Sequence, residues 1–387
     1  MRTRVRCNVC DSPLGSPLYE APPGGSLTSL CERREAQVRV WRCARCGHLR
    51  GESLQDERNY YQSDYRILLD HDDEDQIYEV QDGRITYRTD HQVRTLLERL
   101  PLPPGTRLLD YGCAKGSMPA RLLSLRPDLQ VHLFDVSPMY REHWRRLVPD
   151  DRQAVDHTPE AWKGRFDVVT SFFALEHITD PVDAVRRVAA LLSDQGTFYG
   201  IVPDTFGNVA DLVVIDHVNH FTRPSLHRLL HDAGFRHIVI EDQAHRGALV
   251  FRASRSGDAT PQPAADASAA PAERVAAHWR GMNQRIRQAE AALGGRPVAV
   301  YGSGFYGAYI LATLCDAGCV RCVLDASPYR QGRQLFGVPI VAPESLPVEV
   351  HDLLVGLNPA IARQSVADMA WLHGREVRPV FLNEASP

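Results

Sequence analysis

The sequence predicts an α/β protein, with two doubly wound crossover domains in tandem behind a small cysteine-knuckle module. Three observations carry this. From Arg107 onward, short apolar strands alternate with helical patterns (RLLDYG, PARLLSL, VHLFDV, FDVVTSFF, VDAVRRVAALL, GTFYGIV), as parallel strands joined by crossover helices do. Two glycine-rich turns from strand to helix, LLDYGCAKGSMPARLL at 108–123 and VAVYGSGFYGAYIL at 298–311, open the two domains. Two CxxC pairs mark the module in front, and 387 residues exceed what one ordinary core organises.

The module is assigned to residues 1–58, where the knuckles Cys7/Cys10 and Cys43/Cys46 flank a loop rich in Gly, Pro and Ser. Each knuckle offers two sulfurs to one ion, and four thiolates complete a tetrahedron around Zn2+. Gly47 supplies the small residue such a knuckle needs where the backbone turns. A closed four-thiolate set leaves no open position, so the expected zinc is structural. Cys31 and His48 are substitute ligands without the paired spacing.

Residues 59–254 form the second block. It begins with a helical bridge over 59–100, in which Val93, Leu96, Leu97 and Leu100 recur at helix spacing. The tyrosines of YYQSDY read as a helix face, and HDDEDQ reads as a solvated turn. Residues 255–272, rich in Ala, Pro and Ser, read as a flexible linker. Beyond it, Val275, Trp279, Met282, Ile286, Ala289 and Leu293 predict an amphipathic helix over 273–293, which opens a Rossmann-like domain at 273–387.

Forty-four basic and 48 acidic residues give a net charge of -4, which argues against a nucleic-acid or anionic membrane partner and for a small polar substrate. No stretch approaches the roughly 20 apolar residues of a membrane span, and the N-terminal MRTRVRCNVC lacks a following apolar run. The expected compartment is the cytoplasm. Nine cysteines grouped in close pairs favour metal thiolates over disulfides. Cys315, Cys319 and Cys322 lack knuckle spacing and read as small apolar fillers.

In the first glycine loop, Gly112 and Gly116 let the backbone approach a ligand, and Asp135 ends the next strand where a carboxylate accepts ribose hydroxyls. The spacing DxGxxxG resembles the first motif of class I S-adenosylmethionine-dependent methyltransferases. That resemblance implies that Asp110 holds the methionine ammonium, Gly112 lies beside it and Asp135 takes the ribose. FDVVTSFFALEHITDP resembles the segment after strand four of that superfamily, with Glu176 and His177 at the carboxyl edge of the sheet and Asp180 capping VDAVRRV.

Taken in order, the four-cysteine module, the DxGxxxG domain, DHVNHF leading into SLHRLLHDAGF, and the C-terminal GxGxxG domain with VLDASPYRQGRQLFGVPIVAPESL resemble the three-domain, zinc-containing sugar C-methyltransferases across essentially all 387 residues. The resemblance implies a nucleotide-linked keto-deoxysugar as substrate. It also implies a histidine that follows an acidic residue and removes the proton alpha to the ketone. His217 is that base and Asp216 its orienting acid; His titrates near neutral pH and suits the task. His220 stands where the family carries an aromatic residue, and its alternative reading is a helix cap or core residue. His220, His177 and the tyrosines Tyr60, Tyr61 and Tyr65 are candidates for orienting the substrate.

The second loop fits GxGxxG through Gly302, Gly304 and Gly307, with Asp325 ending the next strand. Family resemblance implies a diphosphate-holding role, with Tyr329 and Arg330 as contacts; a purely structural loop is the alternative. The competing functions are O- or N-methyl transfer on the same scaffold, and an NAD(P)-dependent oxidoreductase centred on residues 302–307. The sequence sets no oligomeric state.

Overall fold

The computed structural model describes residues 5–22, 26–54, 56, 59–65, 75–81, 84–372 and 375–382. Most of the acidic HDDEDQ run lies outside them. The chain divides into two compact units. One comprises residues 1–16, 41–211 and 218–269; the other comprises 17–40, 212–217 and 270–387. Residues 1–58 therefore do not form a body of their own. The physical reason is size: two knuckles cannot bury a core, so Cys7, Cys43 and Cys46 join a cluster with Val185, Phe221 and Leu226 of the first unit.

The first unit is built on a seven-stranded sheet: β1 (Arg107–Tyr111), β2 (Gln130–Asp135), β3 (Gln153–Val155), β4 (Phe166–Phe172), β5 (Leu192–Pro203), β6 (His237–His245) and β7 (Ala248–Ser254). Their order is β3-β2-β1-β4-β5-β7-β6. Strands β1 to β5 pair in parallel, while β7 lies antiparallel between β5 and β6. Crossovers force helices onto both faces, which is why Leu108, Leu109, Val168 and Val169 are all buried. The helices are α1 (Arg88–Arg99), α2 (Ser117–Leu125), α3 (Pro181–Leu191) and α4 (Arg223–Asp232). Asp180 caps α3 by accepting the Asp183 N–H at 2.9 Å, as expected. Thr222 and Ser225 form a reciprocal capping box at the start of α4. Strand order reverses between β1 and β4, where a doubly wound sheet opens a ligand crevice at its carboxyl edge.

The expected helical bridge is only partly helical. Ile77–Gln81 and Arg84–Tyr87 pair as an antiparallel hairpin, because IYEVQ and RITY are rich in β-branched and aromatic residues. Helix α1 begins at Arg88, with the Asp75 carboxylate accepting the Thr89 N–H at 3.3 Å. Tyr60–Asp64 forms a single wide helical turn.

The second unit holds α5 (Ala269–Leu293), β8 (Val298–Tyr301), α6 (Phe305–Thr313), β9 (Val320–Leu324), β10 (Gln334–Leu335), β11 (Val338–Val341), β12 (Asp352–Val355), α7 (Pro359–Ala367) and β13 (Arg378–Phe381). Its strand order is β10-β11-β9-β8-β12-β13, parallel except at the β10 edge. Helix α5 starts at Ala269, inside the stretch read as linker, and a short turn at Ala265–Ser268 precedes it. Alanine is the best helix former and Pro271 falls in the first turn, where proline is tolerated, so the composition that suggested a linker also extends the helix. Val275, Trp279, Met282, Ile286 and Leu293 are buried as their spacing requires. Trp279 packs edge-on against Tyr309 of α6 at 4.6 Å.

Candidate active site

The turn from β1 to α2 is built around two carboxylates. Asp110, at the end of β1, is 3% exposed and accepts a hydrogen bond from the Thr170 hydroxyl of β4 at 2.8 Å. Burial pushes its carboxyl up to about 7 against the Thr170 hydrogen bond, with the neighbouring Asp135 charge adding to the rise. Gly112 has φ +79°, and a Cβ there would lie 2.7 Å from that of Ala174, so the turn closes against the loop after β4 only with glycine. Asp135, at the end of β2, accepts N–H bonds from Ala114 at 2.8 Å and Ser137 at 2.9 Å. Burial raises its pKa and these bonds oppose the rise.

Asp110, Gly112 and Asp135 line a crevice of about 510 Å3, and Tyr61, Tyr65 and His177 line it too. That volume suits a drug-sized or cofactor-sized molecule. His177 stands on the turn Leu175–His177 that follows β4. Its Nδ1 is 3.0 Å from the Tyr61 hydroxyl, and its ring meets both tyrosine rings at 5.4 Å. The crevice thus combines buried carboxylates, suited to an ammonium and to hydroxyls, with an aromatic wall carrying one imidazole.

Other expected site residues are not among those that line the crevice. Tyr60 is 4% exposed and packs among Tyr61 and Tyr65 without lining the crevice. Gly116, with φ +85°, starts α2 against Leu147, and Glu176 is buried in the turn; neither lines the crevice. His220 is buried, with Nδ1 2.9 Å from the Asp211 carboxylate that also accepts from Thr205. Asp216 and His217 belong to the second unit, where both oxygens of Asp216 accept from Ser29, its N–H at 2.7 Å and its hydroxyl at 2.8 Å. His217 is 8% exposed.

In the second unit, Gly302 has φ +96° and its carbonyl would lie 1.8 Å from a Cβ at Gly307, which explains both glycines by close approach. Gly304 opens α6. Asp325 accepts from the Ser303 N–H at 2.9 Å and from the Ser303 hydroxyl, and Arg330 donates to the Ser303 carbonyl at 2.9 Å. Tyr329 is 74% exposed. Cys319 and Cys322 are buried as fillers, whereas Cys315 is exposed beside Arg287 and departs from that reading.

Sequence reasoning missed Arg88 and Asn219. Arg88 lines the crevice, its guanidinium 3.7 Å from the Phe173 ring centroid, and burial lowers its pKa while Glu176 opposes. Its only signal was a basic first residue of a helix. Asn219 lies inside the DHVNHF segment and donates to the Leu175 and Ile178 carbonyls that bracket the His177 turn.

Cys7, Cys10, Cys43 and Cys46 converge, their sulfurs all within 4.8 Å of one another. The Cys7–Cys46 and Cys10–Cys43 separations are 3.6 and 3.5 Å, close to the ~3.8 Å edge of a tetrahedron with ~2.3 Å metal–sulfur bonds. Gly47 (φ +75°) turns the second knuckle, and Asp11 (φ +56°) takes the matching place in the first. The donor set therefore fits zinc. His48 is held neutral by burial, its pKa lowered to about 3, and Cys31 lies in the other unit.

A family model described as "Methyltransferase domain" matches residues 85–239. Ubiquinone biosynthesis O-methyltransferase of Xanthomonas campestris pv. campestris (strain B100) is 32% identical over 101 residues, or 25% of this chain and 42% of that protein. The enzyme of the same name from Xanthomonas axonopodis pv. citri (strain 306) is 30% identical over 102 residues, 25% of this chain and 43% of that one. The chain thus spans about two fifths of these curated relatives. Among solved structures, an S-adenosylmethionine-dependent methyltransferase from Mesorhizobium loti aligns over 42% of this chain and 97% of its own at 18% identity, with TM-score 0.35. The CurJ carbon methyltransferase aligns over 44% and 55% at 16% identity, with TM-score 0.35. No helix among the described residues is long and apolar enough to cross a membrane. Residues 85–239 thus match a methyltransferase-domain model, and that span holds the crevice at Asp110 and Asp135.

Proposed function

We propose that the chain transfers a methyl group to carbon on a nucleotide-linked keto-deoxysugar. The observation that carries the reading is the crevice itself, where Asp110 and Asp135 share one cavity with Tyr61, Tyr65 and His177. S-adenosylmethionine, when bound, supplies an electrophilic sulfonium methyl. Asp110 would meet the donor ammonium and Asp135 the ribose, orienting the methyl; alignment of this kind is the larger part of catalysis in a displacement. On the acceptor side His217 would take the proton alpha to the ketone. The resulting enolate carbon would be the nucleophile that a sulfonium methyl requires. His177 and Tyr61 would orient the acceptor; in the second unit, taken by itself, the loop of Gly302 and Gly304 with Arg330 would suit a diphosphate. The four cysteines would hold a structural zinc.

A second reading, O-methyl transfer, is favoured by the name of the Xanthomonas relatives. Incubation with a labelled methyl donor and nucleotide-ketosugars in deuterated water separates the two. C-methylation requires loss of carbon-bound hydrogen at the acceptor, while a methyl ether product would refute it. The variant His217→Ala is expected to lose at least ~100-fold in turnover, as a missing general base does, and full turnover would remove the assignment. Binding of NAD(P) in place of S-adenosylmethionine would instead support the oxidoreductase alternative.

A further inference from the structure

We propose that the four-cysteine module is the positioning element for the acceptor wall of the crevice, acting through Asn8 and Asn219 on the turn that carries His177. The inference rests on the reading that His177 faces the acceptor.

Asn8 sits between the two sulfurs of the first knuckle, where the Cys7 N–H bonds the Ser12 carbonyl and the Asp11 N–H bonds the Cys7 carbonyl, both at 2.8 Å. Its side-chain amide donates to Asn219 Oδ1 at 2.7 Å and to the Thr179 carbonyl at 3.3 Å. Asn219 is fully buried and its own amide donates to the Leu175 carbonyl at 2.9 Å and the Ile178 carbonyl at 2.7 Å. Chemistry leaves no choice of orientation: the two carbonyls demand donors, so Oδ1 of Asn219 must face Asn8, and Asn8 must answer with its NH2. The carbonyls of Leu175, Ile178 and Thr179 around His177 are thereby tied to a residue that lies between Cys7 and Cys10 in the chain.

The backbone repeats the connection. The Gly51 N–H donates to the Val218 carbonyl at 2.9 Å, and the Val218 N–H donates to the Glu176 carbonyl at 2.8 Å. Asn219 and His220 pair with Arg50 and Leu49, just past the second knuckle, and the Thr222 hydroxyl donates to the Gly47 carbonyl at 3.1 Å. Each knuckle therefore grips the segment 218–222, and the first grips the 175–179 turn as well. A site outside the reacting atoms that orients those that touch them commonly matters as much as a ligand.

The decisive variant is Asn8→Asp, which keeps shape and both sulfurs but aims an acceptor at Asn219 Oδ1 and the Thr179 carbonyl. Expected are unchanged metal content and donor KM, a kcat lower by about 10- to 100-fold, and faster amide exchange over residues 174–180. Asn8→Ala, which adds no charge, should move both readouts the same way. Independently of turnover, stripping metal from the full wild-type chain with a chelator should accelerate exchange at 174–180, and should do so by a smaller factor in Asn8→Asp, where only the backbone path from the second knuckle is left to lose. Wild-type kcat in both variants, or an exchange rate at 174–180 indifferent to Asn8, overturns the proposal. A purified chain devoid of metal refutes the zinc reading alone, and the variant comparison then still decides whether the module positions the turn.

Discussion

Asp110 shows how one residue's environment sets a functional window. Its carboxyl is pushed to about 7 by burial, so near neutrality it is divided between neutral and ionised forms. In the role proposed for Asp110 a cationic ammonium would bind the ionised form, and binding would pull the proton off. Donor affinity is therefore expected to rise as pH increases towards 7, approaching tenfold per unit below that value, and to level off above it. Calorimetric titration of the wild type and of Asp110→Asn between pH 5.5 and 8 checks this; the variant should bind weakly and with no such slope. An equally steep rise in the variant would move the ammonium site elsewhere. The residue was legible from DxGxxxG, but its half-ionised state was not, because that depends on Thr170 and Asp135, residues 60 and 25 positions away, closing over it.

At the scale of elements, strand β2 carries a parallel lesson. His132 stands inside the apolar run VHLFD and is 1% exposed, wedged edge-on against Trp162 and Phe166 at 5.2 and 5.0 Å. Burial lowers its pKa to about 4 from 6.5. The unfolded chain thus holds a proton there that the folded one refuses, so stability is lost as pH falls from 6.5 through about 4, up to about 3 kcal/mol from this group. His132→Phe should flatten the drop in urea midpoint between pH 7 and 4.5 relative to the wild type; an unchanged slope would show that other groups carry it. The strands and helices of both sheets were readable because apolar periodicity acts within a single element. The pairing of Ile77–Gln81 with Arg84–Tyr87 was not, since strands of five and four residues leave too few repeats to distinguish from a helix, and the early start of α5 was hidden because alanine suits linker and helix alike.

For the whole molecule, the cysteine module is the main departure from linear order. If zinc closes the four sulfurs, its removal should lower the thermal midpoint of the full chain by ~5–10 °C, at ~2–4 °C per kcal/mol for a body of this size. Scanning calorimetry with and without chelator measures it, and a midpoint indifferent to metal would leave the sulfurs a purely packed cluster. By itself the sequence determined the two parallel-sheet frameworks, the glycine turns, the carboxylates Asp110 and Asp135, and the four sulfurs, because each rests on spacing within a few consecutive residues. Only the tertiary structure decided that residues 17–40 and 212–217 leave their neighbours for the other unit, that His220 answers to Asp211 and Asp216 to Ser29, and that Asn8 reaches Asn219. A polar side chain's role is set by the partner that burial forces it to find, and that partner lies at any distance along the chain.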